Sequence, residues 1–198
     1  AGALAVSGAA VPRSCERDAP VESPLSKDGR YDPEAADAYF GRRPAQTLKR
    51  GAEIAGRAAG LGAAILLDVA TDSVKENEKQ RATAVVDALV SLGPTFVKVG
   101  QALSIRSDLL SEAYCEALTT LQDACPPFDD QEARKVIADE VGADAFTDLS
   151  SSVIASASLG QVYVGHVLRD DEKVKVAVKV QRPGVAETIA LDLHLLRL

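Results

Sequence analysis

Hydrophobic and polar residues follow two different periods along this chain. From Gln161 to Leu168 and from Val174 to Val180 the chain is rich in valine, as β-strands are. The acidic pair at 170–171 predicts a turn between these two segments, so they should form a hairpin. A period of two places Ala177 and Lys179 on one face of the second strand and its valines on the other.

Helical periods precede the hairpin. Proline is favoured in the first turn of a helix, so Gly93 and Pro94 predict that a helix begins there. Its predicted apolar stripe consists of Phe96, Val99 and Leu103. Lys98 and Gln101, three residues apart, share a different face. A Lys and a Gln in this arrangement are ordinarily a solvated helix face.

Two further helices have terminal signals. Asp129 followed by Glu132 resembles a capping box, and Gly142 closes the same helix. Its predicted apolar stripe consists of Ala133, Val136, Ile137 and Val141. Another helix should begin near Val185, with Glu187 in its first turn, where a carboxylate favours the helix dipole.

The segment from Thr47 to about Val90 is rich in alanine and predicted to be helical, in two pieces divided near Asn77. Its most apolar run, residues 58–67, is far shorter than the roughly 20 residues that a membrane span requires. We therefore predict no transmembrane helix. Two interpretations stay open, packing against the rest of the fold and contact with a lipid surface. The residues concerned are Ile54, Leu61, Ile65 and Leu66.

Charge and cysteine content exclude some classes of function. The formal net charge is −7, and no basic patch stands out, which argues against a nucleic-acid partner. The three cysteines, Cys15, Cys115 and Cys125, lack the spacing of metal ligands. His166 and His194 are far from them in sequence. Reduced thiols and no metal cluster are expected, with Cys115 in the core.

The hairpin and the loop before it resemble the nucleotide-covering hairpin of protein kinases, G-x-G-x-x-G-x-V followed by V-A-I-K. Ala155 and Ala157 stand at the first two glycine positions, and Gly160 and Val162 keep the third glycine and the valine. The lysine strand reads VAVK at 176–179. This resemblance implies a kinase-like ATP site. Alanine at two of the three positions should make the covering loop stiffer.

The resemblance also implies roles for individual residues. Lys179 would bind the α- and β-phosphates and is the catalytic candidate, while Val162 and Ala177 would flank the purine. The implied covering loop consists of Ala155, Ser156, Ala157, Ser158, Leu159 and Gly160. A catalytic loop and a metal-binding D-F-G do not occur in the sequence. No metal ligand is therefore predicted, and Mg²⁺ is expected only together with a kinase C-terminal lobe.

Several spaced motifs upstream resemble the UbiB family of atypical kinases, also called aarF-domain-containing or activity-of-bc-one-complex kinases. K-x-G-Q reads KVGQ at 98–101, S-x-R-x-D-L reads SIRSDL at 104–109, and L-Q-D-x-x-P-P-F reads LQDACPPF at 121–128. The Q-R-P element follows at 181–183. The resemblance covers the second half of the chain.

This family resemblance implies an α+β fold, namely a protein-kinase-like N-terminal lobe with a helical K-x-G-Q extension and without the C-terminal lobe. Lys98 and Gln101 would face the nucleotide pocket and keep protein substrates out. Arg106 and Asp108 match family positions, but we read them as a helix cap and a surface charge. The expected partner of Lys179 is a glutamate beyond Leu198 rather than Glu187.

The implied function is ATP binding by a kinase or ATPase that supports isoprenoid quinone or prenyl-lipid metabolism. A non-catalytic, kinase-shaped scaffold or lipid-binding module is the alternative, and a purely helical interaction protein is a third reading. Whether the protein is an enzyme stays open, because this stretch lacks the catalytic aspartates. The absence of methionine and an uncapped last helix suggest an internal piece of a longer protein.

The sequence divides into four predicted parts. Residues 1–30 lack periodicity and resemble a disordered remnant of a transit peptide. Residues 31–92 form a helical N-terminal extension, 93–148 the helical K-x-G-Q extension, and 149–198 a partial N-terminal lobe. The segment from residue 30, RYDPEAADAYFGRRPAQTLKR, resembles cyanobacterial and plastid family members. We therefore expect a chloroplast protein, with the mitochondrion as the alternative.

Overall fold

The computed structural model describes residues 23–26, 29–122, 125–169 and 172–198. Within these ranges the chain forms seven α-helices, one 3-10 helix and one three-stranded antiparallel sheet. The helices are α1 (Pro33–Gly41), α2 (Pro44–Ala70), α3 (Val74–Leu92), α4 (Pro94–Leu103), α5 (Glu112–Thr119), α6 (Asp130–Val141) and α7 (Val185–Arg197), with the 3-10 helix at Thr120–Gln122. The strands are β1 (Ala155–Ala157), β2 (Gly160–Arg169) and β3 (Glu172–Gln181).

The predicted hairpin is confirmed, with β2 between β1 and β3. One face of the sheet packs against α6 through Tyr163, Val178, Val180 and Ile137. Tyr163 is completely buried, and burial together with a hydrogen bond to Asp130 raises its pKa to about 12. Buried and exposed side chains therefore alternate along the end of β3, because only one face of the sheet is covered by a core. The predicted acidic turn at 170–171 lies outside the described residues, as do residues 1–22 and 27–28 of the predicted transit-peptide remnant at 1–30.

The terminal signals of α6 are confirmed. The Asp129 side chain accepts hydrogen bonds from the backbone N–H groups of Gln131 and Glu132, and Gly142 ends the helix with φ of 99°. A positive φ of this size favours glycine because it lacks a Cβ. Ala133 is fully buried in the core under the sheet. These caps fix the point at which the chain enters and leaves the covered face of the sheet.

Helix α4 begins at Pro94 as predicted, but its predicted apolar stripe is wrong in part. Val99 is 44% exposed, whereas Val97 is buried and packs with Leu118 and Leu121. The buried face passes through Gly100, where an added Cβ would lie 2.4 Å from Leu121 Cδ1. Because glycine has no side chain, the hydrophobic pattern of the sequence does not identify this face as buried, although glycine permits the closest packing.

The long helical segment forms two pieces as predicted, but the division does not lie near Asn77. The chain turns at residues 71–73, between α2 and α3, and Asn77 lies within α3. Its side-chain amide donates to Asp68 Oδ1 at 2.7 Å, and Arg81 Nη2 donates to the same oxygen at 2.9 Å. Asp68 is only 3% exposed. The turn is therefore closed by a buried carboxylate rather than by glycine or proline.

A second buried carboxylate joins α2, α4 and α7. Asp192 is 0% exposed and accepts hydrogen bonds from Arg50 Nε at 2.7 Å and from Thr95 Oγ1 at 2.7 Å. Arg50 Nη2 also donates to the backbone oxygen of Leu92. Nearby, α1 packs on α7 through Phe40 and Leu191. The Asp192 cluster thereby fixes α7, which follows β3 directly, against the upstream helices.

The end of α2 carries exposed apolar side chains. Leu66 and Leu67 are 70% and 61% exposed, and Ile65 is 40% exposed, whereas Ile54 and Leu61 are half-buried. Packing against the fold therefore accounts for the first part of the segment. Among the described residues, no helix combines the length and hydropathy that a membrane crossing would need.

Candidate functional site

The strand register aligns the predicted nucleotide-binding residues across the sheet. Val162 in β2 lies opposite Ala155 in β1 and opposite Lys179 in β3. Val164 lies opposite Ala177 in the next row on the same face. Directly opposed residues of an antiparallel pair lie on one face with their Cβ atoms about 5 Å apart. The five residues therefore share one face of the sheet.

This face is the one opposite α6. Lys179 and Ala177 are both exposed, while Val178 and Val180, which alternate with them, are buried. No hydrogen bond or ion pair of the Lys179 ammonium occurs among the described residues. The face thus offers an unpaired cation beside a small side chain. A lysine ammonium binds phosphate oxygens and a small neighbour leaves space for a planar ring, so the residues present are compatible with an adenine nucleotide.

The covering loop is a tight hairpin turn. Ala157 lies opposite Gly160, which leaves Ser158 and Leu159 as the two turn residues. None of residues 155–160 has a positive φ, so alanine at 155 and 157 meets no backbone strain. Glycine is required only at Gly160, where an added Cβ would lie 2.3 Å from the backbone oxygen of Val180. Gly160 therefore serves the close approach of β2 to β3.

Two serine hydroxyls within residues 155–160 are buried without a hydrogen-bond partner among the described residues. They are Ser156 Oγ in β1 and Ser158 Oγ in the turn, and Ser158 is 3% exposed. A buried hydroxyl without a partner costs about 1–3 kcal/mol. A ligand or a movement that supplies a hydrogen-bond partner would recover part of this free energy. The covering loop therefore contains polar groups whose hydrogen bonds are not satisfied.

Side chains beside the covering loop hold the segment that contains the P-P-F motif. Gln161 is fully buried, accepts a hydrogen bond from Phe128 N at 3.0 Å and donates to Phe128 O at 3.2 Å. Arg182 Nη2 donates to Pro126 O at 2.7 Å, and its guanidinium lies 5.2 Å from the centre of the Phe128 ring. The backbone N–H of Arg182 donates to Leu159 O at 2.9 Å. The P-P-F segment, the Q-R-P element and the covering loop are thus one connected structure.

The K-x-G-Q motif has its own internal contacts. Lys98 Nζ donates to Gln101 Oε1 at 2.9 Å, which confirms that the two side chains share a face. Gln101 Nε2 donates to Leu121 O at 2.8 Å in the 3-10 helix. Gly100 allows Leu121 to pack closely on α4. The motif therefore ties α4 to the segment that leads to Phe128.

The predicted site has two parts, the K-x-G-Q residues and the sheet with its covering loop, and the described residues form no direct contact between them. Among the described residues, no hydrogen bond or ion pair links Lys98 or Gln101 to Lys179 or to residues 155–160. Gln101 contacts Leu121 O, whereas Gln161 and Arg182 contact Phe128 and Pro126. Cys125 directly precedes Pro126, and its pKa is raised by burial, while the charges of Arg182 and Lys98 oppose that rise.

Other predicted residues have clear positions. Glu187 lies in the first turn of α7, as predicted, and accepts hydrogen bonds from Tyr39 at 3.0 Å and Gln46 at 3.3 Å. Arg106 and Asp108 form an exposed ion pair at 2.7 Å. Within the described parts of the chain, no group of three or more His, Cys, Asp or Glu side chains could hold a metal ion.

Sequence reasoning missed the roles of Gln161, Arg182, Arg50 and Asp192. The first two stood in recognised motifs without an assigned contact. Their partners lie 33 residues away for Gln161 and 56 residues away for Arg182. Arg50 and Asp192 are 142 residues apart. An aspartate inside the apolar pattern of α7 was the one available signal, because a buried carboxylate requires a partner.

The chain is similar in sequence to several known proteins. Residues 120–198 match the ABC1 atypical kinase-like domain. The chain is 40% identical over 182 residues to an uncharacterized protein of Synechocystis sp., and 43% identical over 170 residues to Protein ACTIVITY OF BC1 COMPLEX KINASE 3, chloroplastic, of Arabidopsis thaliana. It is 42% identical over 122 residues to Probable protein kinase UbiB of Azotobacter vinelandii.

The matches cover 90%, 84% and 60% of this chain but only 32%, 24% and 22% of those relatives, respectively. The chain therefore spans a third or less of the length of the curated relatives that it matches. Its antiparallel sheet, the following α7 and the preceding helices form the predicted α+β kinase-like N-terminal lobe, and no C-terminal lobe is present in its 198 residues. This chain belongs to the ABC1 and UbiB family of atypical kinase-like proteins.

Proposed function

We propose that this chain supplies the nucleotide-covering part of an ATP site in an atypical kinase or ATPase. The observation that carries the proposal is the row formed by Ala155, Val162 and Lys179 on the open face of the sheet, where Lys179 has no ion-pair partner among the described residues. In this proposal residues 31–92 and 93–148 form the helical extension and residues 149–198 the covering lobe.

The proposed binding mode follows from the sheet geometry. Lys179 binds α- and β-phosphate oxygens, since its ammonium is exposed and free of a carboxylate partner among the described residues. Val162 and Ala177 contact the purine, and residues 155–160 cover the phosphates. Hydrogen bonds to charged groups contribute about 1.5–3 kcal/mol each. Mg²⁺, when bound, would offset phosphate charge, and its ligands would come from outside the described residues.

Lys98 and Gln101 are proposed to gate this pocket from the side of the extension. Gln101 is held by Leu121 O, and Lys98 is exposed with its ammonium on Gln101. The amine of Lys98 is therefore positioned by the helix but still accessible.

We further propose that the whole protein supports isoprenoid quinone or prenyl-lipid metabolism in the chloroplast, with the mitochondrion as the alternative. The family membership supports the metabolic role, and relatives from Arabidopsis thaliana whose names include "chloroplastic" support the location. A lipid surface as a partner is a weaker proposal. The exposed Leu66 and Leu67 at the end of α2 are compatible with it.

Nucleotide binding by the full-length protein tests the proposal. Lys179→Ala should weaken ATP binding by about tenfold or more, because one charged hydrogen bond to phosphate is lost. Lys175→Ala is the matched control, since Lys175 is an exposed lysine on the same face of β3. Lys98→Ala should also change ATP affinity. Unchanged affinity in the Lys179 and Lys98 variants would contradict these roles.

The same experiment separates the two classes of function. ATP turnover or self-phosphorylation that is lost in Lys179→Ala supports a kinase or ATPase. Tight ATP binding without any phosphoryl transfer would instead favour a kinase-shaped scaffold or lipid-binding module.

A further inference from the structure

Helices α1, α2 and α7 line a cavity of about 510 Å³. The described residues that line it include none of the proposed nucleotide-binding residues. Its apolar walls consist of Phe40, Leu48 and Leu195 together with small residues of α2, namely Gly51, Ala52 and Ala55. The small residues leave space, since even a Cβ added at Gly51 would lie at an ordinary 3.6 Å from Leu195 Cδ2. A pocket of this volume with mostly apolar walls is of the size that small molecules occupy.

The apolar wall follows one face of α2. Thr47, Gly51 and Ala55 recur every four residues, with Leu48 and Ala52 beside them. From Thr47 to Ala55 the helix rises by about 12 Å, which an extended aliphatic chain of roughly eight to ten carbons would cover. Leu48 is 75% exposed, so the fold leaves a large apolar side chain of this wall uncovered. The shape of the wall therefore suits an extended chain.

His194 is a polar group of the cavity wall whose hydrogen bonding is not satisfied. The residue is 7% exposed, and its Nδ1 is buried without a hydrogen bond of normal geometry among the described residues. Asp37 Oδ1 nevertheless lies 2.9 Å from this nitrogen. Two acceptor atoms would repel each other at that distance, so one of them carries a hydrogen.

This hydrogen belongs to the imidazole. A hydrogen bond from Arg197 holds the pKa of Asp37 below its usual value of 3.8, so the carboxylate is ionised near neutral pH. Nδ1 of His194 therefore carries the hydrogen. In a neutral imidazole the other nitrogen, Nε2, is then a hydrogen-bond acceptor. The cavity thus combines apolar walls with one nitrogen that can accept a hydrogen bond from a ligand.

We propose that this cavity binds a neutral alcohol with an aliphatic chain, whose hydroxyl donates to His194 Nε2 while the chain lies along α2 from Thr47 to Ala55. An alkane would leave the acceptor nitrogen without a partner. An ionised fatty acid has no hydrogen to donate, and its charge would lie near that of Asp37. The proposed site does not depend on nucleotide binding.

Calorimetric titration of the full-length protein with 1-octanol, at about pH 8 where imidazole is ordinarily neutral, tests the site. Saturable binding of one alcohol per chain is expected. The ether 1-methoxyoctane keeps the chain but has no hydroxyl hydrogen, so it should bind about tenfold more weakly, as should octanoate. Nonspecific apolar binding would favour the ether instead. Equal or tighter binding of the ether by the wild type would overturn the proposal.

The His194→Phe variant tests the role of the imidazole. This variant keeps an aromatic ring but has no acceptor nitrogen, so the preference for the alcohol over the ether should disappear. A preference that persists in His194→Phe would overturn the assignment of the acceptor. The comparison uses two ligands on the same variant, so a general change in the stability of the fold would affect both equally.

A substitution that fills the cavity locates the site. Ala52→Phe places a ring between the walls and should abolish octanol binding. Ala63→Phe is the matched control, because Ala63 is an exposed alanine about three turns further along α2 that does not line the cavity. It should leave binding unchanged. Octanol binding that survives Ala52→Phe would overturn the proposal. Absence of octanol binding, together with a dimer that Ala52→Phe dissociates, would assign the cavity to a second copy of the chain and equally overturn it.

Discussion

The Arg50–Asp192 pair should be one of the most sensitive points of the fold. Replacing Arg50 by Met keeps an unbranched side chain and removes all of the hydrogen bonds that the guanidinium makes to Asp192. The two bonds measure 2.7 Å to Oδ1 and 3.1 Å to Oδ2. Asp192 is 0% exposed, so its carboxylate would lose its cationic partner without gaining water. Thr95, at 2.7 Å, would be its one remaining side-chain donor among the described residues.

The expected magnitude follows from this burial. Breaking a buried ion pair by removing one partner costs about 3–5 kcal/mol, because an uncompensated charge stays inside. Arg50 also supports the end of α3 through Leu92 O, which adds to the cost. A local cost of about 3 kcal/mol corresponds to amide exchange that is faster by roughly a hundredfold. The effect should be strongest in α7, where Asp192 lies.

Hydrogen exchange across Val185–Arg197 in the full-length protein measures this opening. Arg106→Met is the matched control, because Arg106 forms an ion pair of the same 2.7 Å length with Asp108 but at an exposed site. Exposed pairs contribute little, so exchange in the neighbouring helices α4 and α5 should hardly change. Equal effects of the two substitutions, or α7 protection that survives Arg50→Met, would refute the argument from burial.

Three further outcomes are expected. Gly160→Ala should reduce the free energy of unfolding by about 1–3 kcal/mol and so lower the midpoint of thermal unfolding, because the added Cβ would lie 2.3 Å from a backbone oxygen of β3. Gly56→Ala is the control and should leave the midpoint unchanged, because its added Cβ would have no atom within 4 Å. Hydrogen bonds from Arg81 hold the pKa of Asp68 below its usual value of 3.8, so this carboxylate stabilises the fold above about pH 4. The difference in unfolding midpoint between wild type and Asp68→Asn should therefore shrink as the pH falls from 7 to 3, and a constant difference would contradict this. Ala157→Gly should change ATP affinity or raise self-phosphorylation in the full-length protein, and identical behaviour would show that loop stiffness is not the control.

Local patterns predicted the elements that local physics determines. The valine alternation gave β2 and β3, because one face of the sheet is buried on α6. Proline at 94 marked the start of α4, and the side chain of Asp129 marked the start of α6. In each case the signal and the structural cause lie within a few residues of each other.

The predictions that were wrong concern positions whose burial depends on residues distant in the sequence. Val97 rather than Val99 is buried in α4, because the packing partner, Leu121, approaches over a glycine and not over the most apolar arc. The turn after α2 is closed by the buried Asp68, whose partner Arg81 lies 13 residues further along the chain. A sequence pattern contains no information about which of several polar residues will be enclosed by distant packing.

The candidate site contains both residues that the sequence identified and contacts that it could not predict. The kinase-like spacing identified the residues of the sheet face, and the strand register aligns Ala155, Val162 and Lys179. The contacts of Gln161 and Arg182 with residues 126–128 could not be predicted, because they depend on how the loop before α6 crosses the end of the sheet. Motif residues without an assigned role are therefore the first places to search for such contacts.

The central claim is that the amine of Lys179 meets the phosphates of a nucleotide, and the rate at which that amine is acylated tests it most directly. The full-length protein is treated with an amine-reactive ester with and without ATP and Mg²⁺, and labelling is quantified by mass spectrometry at Lys179 and at Lys175. Both lysines are exposed on the same face of β3. The account predicts that ATP protects Lys179 severalfold and leaves Lys175 unchanged. Equal labelling of Lys179 with and without saturating ATP would contradict it.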